Sequence, residues 1–292
     1  MNKWSIFLIS ISFLFSCSKD RITTDEFQSM DEFFEEEQAE VQEFVITNED
    51  GNQPIVGKFG TKLFVHSSLF EDTTSRGAVE VPYTIQLIEL YTVKDLILQK
   101  MNSNYTGGGL DYVAGLWVSA KKDDQYLKLI DGKFLLANLN TEVRPFVPTV
   151  YYGGNQIKPW SAWLASANGS SVGINNEVYE MNLADLGWNL AARFQALAPR
   201  TIIKFNYQGK GLENIQLFAF VNNERQVLKG GVMEIQGVPA NRPVTIIAMA
   251  MDQNKDFRFF RKGIIATGVT DIKLEFETLT REQLLLQLTA LD

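Results

Sequence analysis

The only histidine of the chain, His66, lies beside Ser67 and Ser68 in the stretch LFVHSSLF. A serine, a histidine and an acid can form a nucleophilic triad, but the fold must bring the three groups together in space. Neighbouring residues of a strand point to opposite faces, so the sequence favours a structural or surface role for His66 over catalysis. A zinc site needs several His or Cys ligands, and the chain contains one of each.

A second group of polar residues, Asp252, Asn254 and Asp256, has the alternating oxygen spacing of calcium-binding loops. The mid-loop glycine and the distal glutamate of such a loop are missing from the stretch MDQNKDF. The sequence therefore favours a polar hairpin, with a calcium loop as the alternative. Glu80 and Glu89 have the pattern of solvent-facing or strand-end groups. We predict no catalytic residue, no metal site and no cofactor, and a hydrolase remains the alternative to a non-enzymatic protein.

Two tryptophans, Trp160 and Trp163, lie in the small-residue stretch KPWSAWLASANGSS. Large aromatic side chains dominate the energetics of cores and interfaces, so we predict that this pair closes a seam between two domains. Two alternatives stay open: a platform on which sugar rings stack, and a contact with a protein partner.

The only cysteine, Cys17, follows a positively charged start and the apolar run WSIFLISISFLF. A membrane-spanning helix needs about 20 apolar residues, whereas this shorter run is typical of a secretory signal peptide. The residues LFSC resemble a bacterial lipobox. That resemblance implies cleavage after Ser16 and attachment of acyl chains to Cys17. Because two or more hydrophobic attachments anchor a protein stably, Cys17 is the predicted membrane anchor.

Residues 17–43 carry most of the formal net charge of −8. Runs of like charge repel one another and extend the chain, so we predict a lipidated acidic tether that is disordered or loosely helical. Phe33, Phe34, Val41 and Phe44 could instead form one face of a docking helix. The remainder of the chain is nearly neutral and lacks a basic cluster, so we predict no nucleic-acid partner.

The residues after 43 show the alternation of apolar and polar positions that is typical of strands. In AVEVPYTIQLIEL, alternate residues from Val79 to Leu87 are apolar. Many short strands of this kind predict a mostly β fold with two β-sandwich-like domains. Further predicted strands are 61–65, 116–120, 125–129, 201–207, 215–221, 243–251, 256–262 and 271–277.

Two helices are predicted, a short one in the first domain and one at the C-terminus. Residues 92–101 begin at Thr92, and residues 280–292 begin with a capping box of Thr280 and Gln283. The C-terminal helix either packs on its own domain or docks a partner. The predicted organisation is a signal peptide (1–16), the tether (17–43), an N-terminal sandwich (44–140), a connecting region (141–200) and a C-terminal sandwich-like domain with the terminal helix (201–292).

Two stretches resemble a known protein family. They are residues 57–139, which include GKFGTKLFVHSSLF, VEVPYTIQLIELYTVKDLIL and LDYVAGLWVSAKKDDQYLKL, and residues 178–194, VYEMNLADLGWNLAARF. The family is a group of outer-membrane lipoproteins of the Bacteroidota with a β-sandwich domain distantly similar to that of ankyrins and netrin receptors. The resemblance implies a fold and a compartment but no chemistry.

Taken together, the sequence predicts a protein lipid-anchored at the outer membrane through Cys17. We expect a non-enzymatic accessory or scaffold subunit of a membrane or cell-surface complex, with an outer-membrane protein as its partner. The start CSKD resembles the signals that send such lipoproteins to the cell surface, so surface exposure is favoured over a periplasm-facing leaflet. The alternative function is a surface glycan-binding module that uses Trp160 and Trp163.

Overall fold

Strand accounts for 50% and helix for 10% of the structure, a computed structural model. The strands form two β-sandwiches, and the helices include a short one in the N-terminal half and one at the C-terminus. This confirms the predicted fold class. The predicted signal peptide and Cys17 lie outside the described residues. The structure describes residues 27, 29–49, 53–74, 76–106, 108–158, 163–196, 199–209 and 212–292.

The first sandwich packs a larger sheet, sheet I, against a smaller one, sheet II, through a core that both sheets share. Sheet I has the central order β1-β5-β7-β14-β10-β11, with β6 and β8 paired to β7 and β4 paired to β8, and sheet II has the order β12-β13-β9-β3-β2. The strands are β1 (Gln42–Ile46), β2 (Ile55–Val56), β3 (Lys62–Phe64), β4 (Phe70–Asp72), β5 (Tyr83–Leu90), β6 (Asn104–Tyr105), β7 (Gly108–Lys122), β8 (Gln125–Leu129), β9 (Leu135–Leu139), β10 (Thr149–Tyr152), β11 (Leu164–Ala165), β12 (Ser171–Asn175), β13 (Val178–Leu183) and β14 (Gly187–Ala196).

A β-bulge decides which side chains of strand β7 face outward. Its register with β14 shifts between Ala191 and Ala192, which leaves Val113 as the extra residue on β7. An extra residue reverses the alternation of faces beyond it. Tyr112 and Trp117 therefore share the outer face of sheet I although an odd number of positions separates them.

The stretch KKDD between the predicted strands 116–120 and 125–129 forms a tight turn of two residues that joins β7 and β8. Lys122 pairs with Gln125, and only Asp123 and Asp124 lie between them, with φ angles of 49° and 64°. Two successive residues of positive φ form the turn that matches the natural twist of a two-stranded hairpin. This turn fixes β8 beside the C-terminal end of β7.

The second sandwich packs sheet III, with the order β18-β15-β21, against sheet IV, with the order β17-β16-β19-β20-β22. Strands β15 and β21 run parallel, and the pairs of sheet IV are antiparallel. The strands are β15 (Arg200–Asn206), β16 (Glu213–Val221), β17 (Gln226–Lys229), β18 (Glu234–Pro239), β19 (Pro243–Met251), β20 (Phe257–Ile265), β21 (Thr270–Lys273) and β22 (Glu277–Leu279).

In the described part of the chain, three helices lie between the sandwiches, in an apolar cluster that we call the seam. The seam joins the outer face of sheet I, including Leu90 and Tyr112, to the outer face of sheet IV, including Phe218 and Phe259. The backbone also crosses it, since the Ser103 amide donates to the Val227 carbonyl at 2.7 Å. The helices are α1 (Met30–Glu37), α2 (Val93–Leu98) and α3 (Arg281–Thr289).

Both helices predicted from the sequence begin at their predicted caps. Thr92 and Asp95 form a capping box at the start of α2, and Thr280 and Gln283 form one at the start of α3. Each box satisfies two backbone amides that a helix start leaves without partners. Helix α3 packs on the seam of its own chain, with Leu284 and Leu288 buried.

Two predicted boundaries differ from the structure. The predicted tether ends at residue 43, but α1 and β1 already belong to the folded body, because Phe33 and Phe34 are buried in the seam. The predicted connecting region 141–200 supplies strands to both sheets of the first sandwich. Its strand β14 pairs along its own full length with β7, a long-range pairing that local composition does not reveal.

Candidate functional site

The tryptophan pair predicted to contact a ligand or to close a seam is only half described, since Trp160 lies outside the described residues. Trp163 is buried in the seam with 3% of its surface exposed. Its indole Nε1 donates to the Asn102 carbonyl at 2.8 Å. A ring in this position packs between domains, as the seam interpretation expects, and does not offer a face to a sugar.

His66 caps the short 3-10 turn Ser67–Leu69. Its Nδ1 accepts the Ser68 amide at 3.1 Å, and its Nε2 lies 3.3 Å from Glu49 Oε2. The Ser68 hydroxyl also lies 2.9 Å from Nδ1, whereas the Ser67 hydroxyl donates to Glu49 Oε2 at 2.9 Å. The histidine side chain is about half exposed, and its ring fixes the local backbone of this loop.

Asp252 uses its carboxylate to close the predicted polar hairpin between β19 and β20. Its Oδ1 accepts the amides of Asn254 and Asp256 at 2.8 and 3.1 Å, and its Oδ2 accepts Nε of Arg258 at 3.0 Å. Burial opposes ionisation, but these hydrogen bonds outweigh it and hold the pKa of Asp252 below its ordinary value. The geometry matches the hairpin interpretation.

Glu80 is exposed, and Glu89 lies near the end of β5 as the strand-end interpretation expects, but Glu89 is buried rather than solvent-facing. Glu89 is 1% exposed at one end of the first sandwich. Its carboxylate accepts the amides of Phe59 and Thr61 at 3.0 and 2.9 Å, and a Cβ added to Gly57 would lie 2.3 Å from Oε2. Buried charges need such partners, so Glu89 pins the loop between β2 and β3.

Asp111 forms a second buried acidic centre, on β7 opposite Arg193 of β14. It is fully buried and is held by two arginines, Arg144 on one oxygen and Arg193 on the other at 2.7 Å. Both guanidinium groups lie over the ring of Phe146, at 4.8 and 4.1 Å from its centroid. This cluster ties the loop before β10 to sheet I.

Two tryptophans of sheet I hold the segment 153–157, which follows β10. Trp117 and Trp188 donate their indole N–H groups to the carbonyls of Asn155 and Ile157, at 3.2 and 3.1 Å. The backbone adds two bonds, from the amide of Gly153 to Trp188 and from the amide of Trp188 to Gly154, at 2.9 and 2.8 Å. The segment is therefore fixed on rigid strands rather than left as a free loop.

The fixed segment forms one wall of an outer-face cleft, a cavity of about 950 Å³ on the outer face of sheet I. The seam covers the neighbouring part of that face, and Trp117 borders both regions. The floor contains Gln86 and Ser119, which are direct cross-strand partners on β5 and β7. The opposite wall comes from β8 and residues 130–133. We take this cleft as the candidate ligand site.

The sequence contains a signal for the cleft that the strand prediction did not use. Thr84, Gln86, Ile88 and Leu90 alternate along β5 and share the outer face of sheet I, but only the last two are apolar. Ile88 and Leu90 are buried in the seam, whereas Gln86 lines the cleft. The change from polar to apolar along one strand face marks where the helices stop covering the sheet.

Helix α1 connects the segment after Cys17 to the seam. Ser29 begins the helix by accepting the Glu32 amide at 3.1 Å, as serine commonly does at a helix start. The Phe33 ring lies 5.0 Å from Phe257 of β20, with an interplanar angle of 61°. Edge-to-face rings at this separation attract one another beyond the area that they bury. The helix is thus fixed to the second sandwich.

Charged contacts attach α1 to both neighbouring helices. Lys100, just after α2, pairs with Asp31 and lies 4.6 Å from the Phe34 ring centroid. Arg281, at the start of α3, contacts Glu36 and Glu37 at 3.5 and 2.5 Å. The acidic residues that suggested a repelling tether are therefore partly matched by positive side chains of the body.

No protein-family model matches the chain, and no curated protein matches it. Within the described residues, none of the helices is long and apolar enough to cross a bilayer. The same part of the chain contains no cluster of three or more His, Cys, Asp or Glu side chains placed to hold a metal ion.

Proposed function

We propose that the protein is a non-enzymatic accessory or scaffold subunit, anchored at the outer membrane through acyl chains on Cys17. The observation that supports this proposal is the position of α1 in the seam. The first described residue, Phe27, is buried and packs against Phe33 and Phe257. It lies only ten residues after Cys17, so the anchored segment is far shorter than the predicted tether.

Chain length then limits how far the body lies from the membrane. Ten residues span at most about 35 Å when fully extended. A folded body of about 250 residues has a radius of gyration of about 18 Å, so its full width exceeds this reach. A lipid on Cys17 would hold the body against the bilayer with little freedom to turn, as an accessory subunit of a membrane complex requires.

The partner in this proposal is an outer-membrane protein, and the chain faces the cell exterior. The resemblance of residues 57–139 and 178–194 to outer-membrane lipoproteins of the Bacteroidota supports the same compartment. The glycan-binding alternative based on Trp160 and Trp163 receives no support from Trp163, which is buried. A hydrolase remains the enzymatic alternative, and no geometry in the described residues favours a particular reaction.

A tether-length experiment tests this function. The full-length tagged protein is cross-linked in cells and purified in a mild detergent, and a stoichiometric outer-membrane partner is expected. A flexible Gly/Ser insertion of about 20 residues between Thr23 and Thr24 has a root-mean-square end-to-end distance of roughly 25 Å by itself, and it lengthens the anchored segment accordingly. We expect it to reduce cross-linking to the partner severalfold.

The matched control places the same insertion between Gly231 and Val232, where Val232 is 93% exposed. This insertion adds the same mass but leaves the distance to the anchor unchanged, so cross-linking should stay at the level of the unmodified protein. Recovery of the protein without any stoichiometric partner would contradict the scaffold proposal, and so would equal cross-linking by both insertion variants.

A further inference from the structure

The outer-face cleft is built like a ligand site, independently of the membrane anchor. Its volume of about 950 Å³ lies at the upper end of the range that small-ligand pockets occupy, about 300–1,000 Å³. Its wall at residues 153–157 is held by Trp117 and Trp188, which belong to neighbouring central strands. A wall fixed in this way keeps its shape before a ligand arrives, which lowers the entropic cost of binding.

A buried hydroxyl in the cleft floor has no hydrogen-bond partner among the described residues. Ser119 is 6% exposed, it lines the cleft, and its Oγ makes no hydrogen bond with any described residue. Its cross-strand neighbour Gln86 donates to Glu43 Oε1 at 2.6 Å and so is already engaged. Buried hydroxyl groups are nearly always paired, because an unpaired one keeps its full desolvation cost. Ser119 is therefore a polar group that a ligand would satisfy.

Aromatic rings border the opening of the cleft. Tyr126 on β8 is 56% exposed, and Lys121 lies 4.8 Å from its ring centroid. Tyr152, at the end of β10, borders the fixed wall. Burial, and the nearby carboxylate of Asp185, raise the pKa of Tyr152, so its hydroxyl stays a hydrogen-bond donor at neutral pH. The cleft thus combines ring faces with hydroxyl groups.

The charge of the cleft is mixed rather than of one sign. Lys121, Lys128 and Lys133 line it together with Asp131 and Asp185. A site for a densely charged polyanion needs a clustered basic patch, which this lining does not form.

The uncharged lining is amide-rich, with Asn155, Gln156 and Asn168 close to the wall and floor. Side-chain amides both donate and accept, which matches ligands that carry many hydroxyl groups. Asn168 Nδ2 also donates to Asp185 Oδ1 at 2.7 Å, so this part of the lining is oriented. From the exposed ring, the unpaired hydroxyl and the amide lining, we infer that the cleft binds a segment of an oligosaccharide chain.

Affinity electrophoresis tests the inference on the full-length protein in a nonionic detergent. The native gels contain one soluble polysaccharide each: starch, xylan, galactomannan, laminarin, dextran or polygalacturonate. We expect at least one of the neutral polymers to retard the protein, and polygalacturonate, a polyanion, to retard it less because the cleft lacks a clustered basic patch. Tyr126→Ala should weaken the retardation at least tenfold in apparent affinity, because an exposed ring that stacks on a ligand contributes much of the contact.

Two further variants make the result specific. Phe59→Ala removes another ring that is 46% exposed and lies beneath a lysine, Lys58, but lies outside the cleft, so retardation should persist. Ser119→Ala should weaken retardation about threefold to tenfold while leaving the fold intact, because its hydroxyl has no partner among the described residues to lose.

Three results would overturn the inference. The first is the absence of retardation in every gel. The second is retardation that neither Tyr126→Ala nor Ser119→Ala changes. The third is retardation that Phe59→Ala abolishes as well. Because the assay requires no membrane partner, its failure leaves the scaffold proposal untouched, and failure of the tether-length experiment leaves the cleft untouched.

Discussion

Trp117 and Trp188 are direct cross-strand partners in the centre of sheet I, and both donate an indole N–H to the same segment, at Asn155 and Ile157. The pairing register of β7 and β14 sets the distance between the two donors. A segment that would otherwise be a mobile connection is therefore fixed by the sheet itself. This relationship links the fold of the first sandwich to the shape of the outer-face cleft.

Gly187 makes the close approach of this segment possible, and its replacement should be costly. The residue has a φ of +109°, and an added Cβ would lie 2.4 Å from the Gly154 carbonyl oxygen. We expect Gly187→Ala to lower the free energy of unfolding by about 2–3 kcal/mol, since strained backbone and a steric clash both act there. Urea unfolding followed by tryptophan fluorescence measures the change.

Gly173 provides the control for this prediction. It lies on β12, and no atom would lie within 4 Å of an added Cβ. We expect Gly173→Ala to change the free energy of unfolding by less than about 0.5 kcal/mol. Equal effects of the two substitutions would mean that the 153–157 segment does not pack on Gly187 as described.

The buried carboxylate of Asp111 should be a strong contributor to stability. It is fully buried between Arg144 and Arg193. Asp111→Asn keeps the size but removes the charge, and hydrogen bonds to charged groups contribute about 1.5–3 kcal/mol. We expect a loss of that order in chemical denaturation. Lys158→Ala, which removes an exposed ion pair with Glu35 at 3.5 Å, should leave stability unchanged.

Asp252 should give the protein a pH-dependent stability in the acid range. Its pKa in the folded state lies below the ordinary value of 3.8, so the folded form favours the ionised group. The stabilisation is complete above the unfolded pKa and disappears as the pH falls through the folded pKa. We expect the stability difference between the protein and Asp252→Asn to be largest near neutral pH and to shrink below about pH 4. A difference that grows with acidification would contradict this assignment.

Helix α1 should stabilise the whole body if it belongs to the seam. Phe33 is fully buried against Phe27, Phe34 and Phe257. Truncating a buried phenylalanine to alanine typically costs about 3–5 kcal/mol, and we expect Phe33→Ala to fall in this range. Leu286→Ala, at a position 68% exposed on α3, should have little effect. An unchanged free energy of unfolding in Phe33→Ala would mean that α1 is a loose tether and not part of the seam.

Local patterns predicted the elements of this fold better than their long-range partners. The apolar run of residues 243–251 predicted β19 at its observed bounds, and threonine caps predicted the starts of α2 and α3. The pairing of β14 with β7 was not predicted, because the local sequence of residues 187–196 does not indicate a partner strand more than sixty residues away. Residues 141–200 were therefore assigned to a connection.

The candidate site was harder to predict than the fold. The seam interpretation of Trp160 and Trp163 agrees with the burial of Trp163 in the seam, whereas the sugar platform required an exposed ring, and local sequence does not show what packs on a residue. Trp117 and Ser119 belong to β7, whose apolar sequence is typical of a strand that is buried on both faces. The β-bulge at Val113 places these two side chains on the outer face of sheet I. The acidic residues around Phe33 favoured a disordered tether over a docked helix. Their positive partners, Lys100 and Arg281, lie far along the chain, so the local sequence did not show that these charges are matched.

The central claim is that lipid on Cys17 holds this body at a membrane, and intact mass spectrometry of the native protein tests it most directly. The protein is extracted from membranes of its own cells, and its mass and N-terminal peptide are determined. We expect a mature chain that begins at Cys17, with a diacylglycerol on the thiol and an acyl group on the new amine. A free thiol at Cys17, or a mature chain that begins elsewhere, would contradict it.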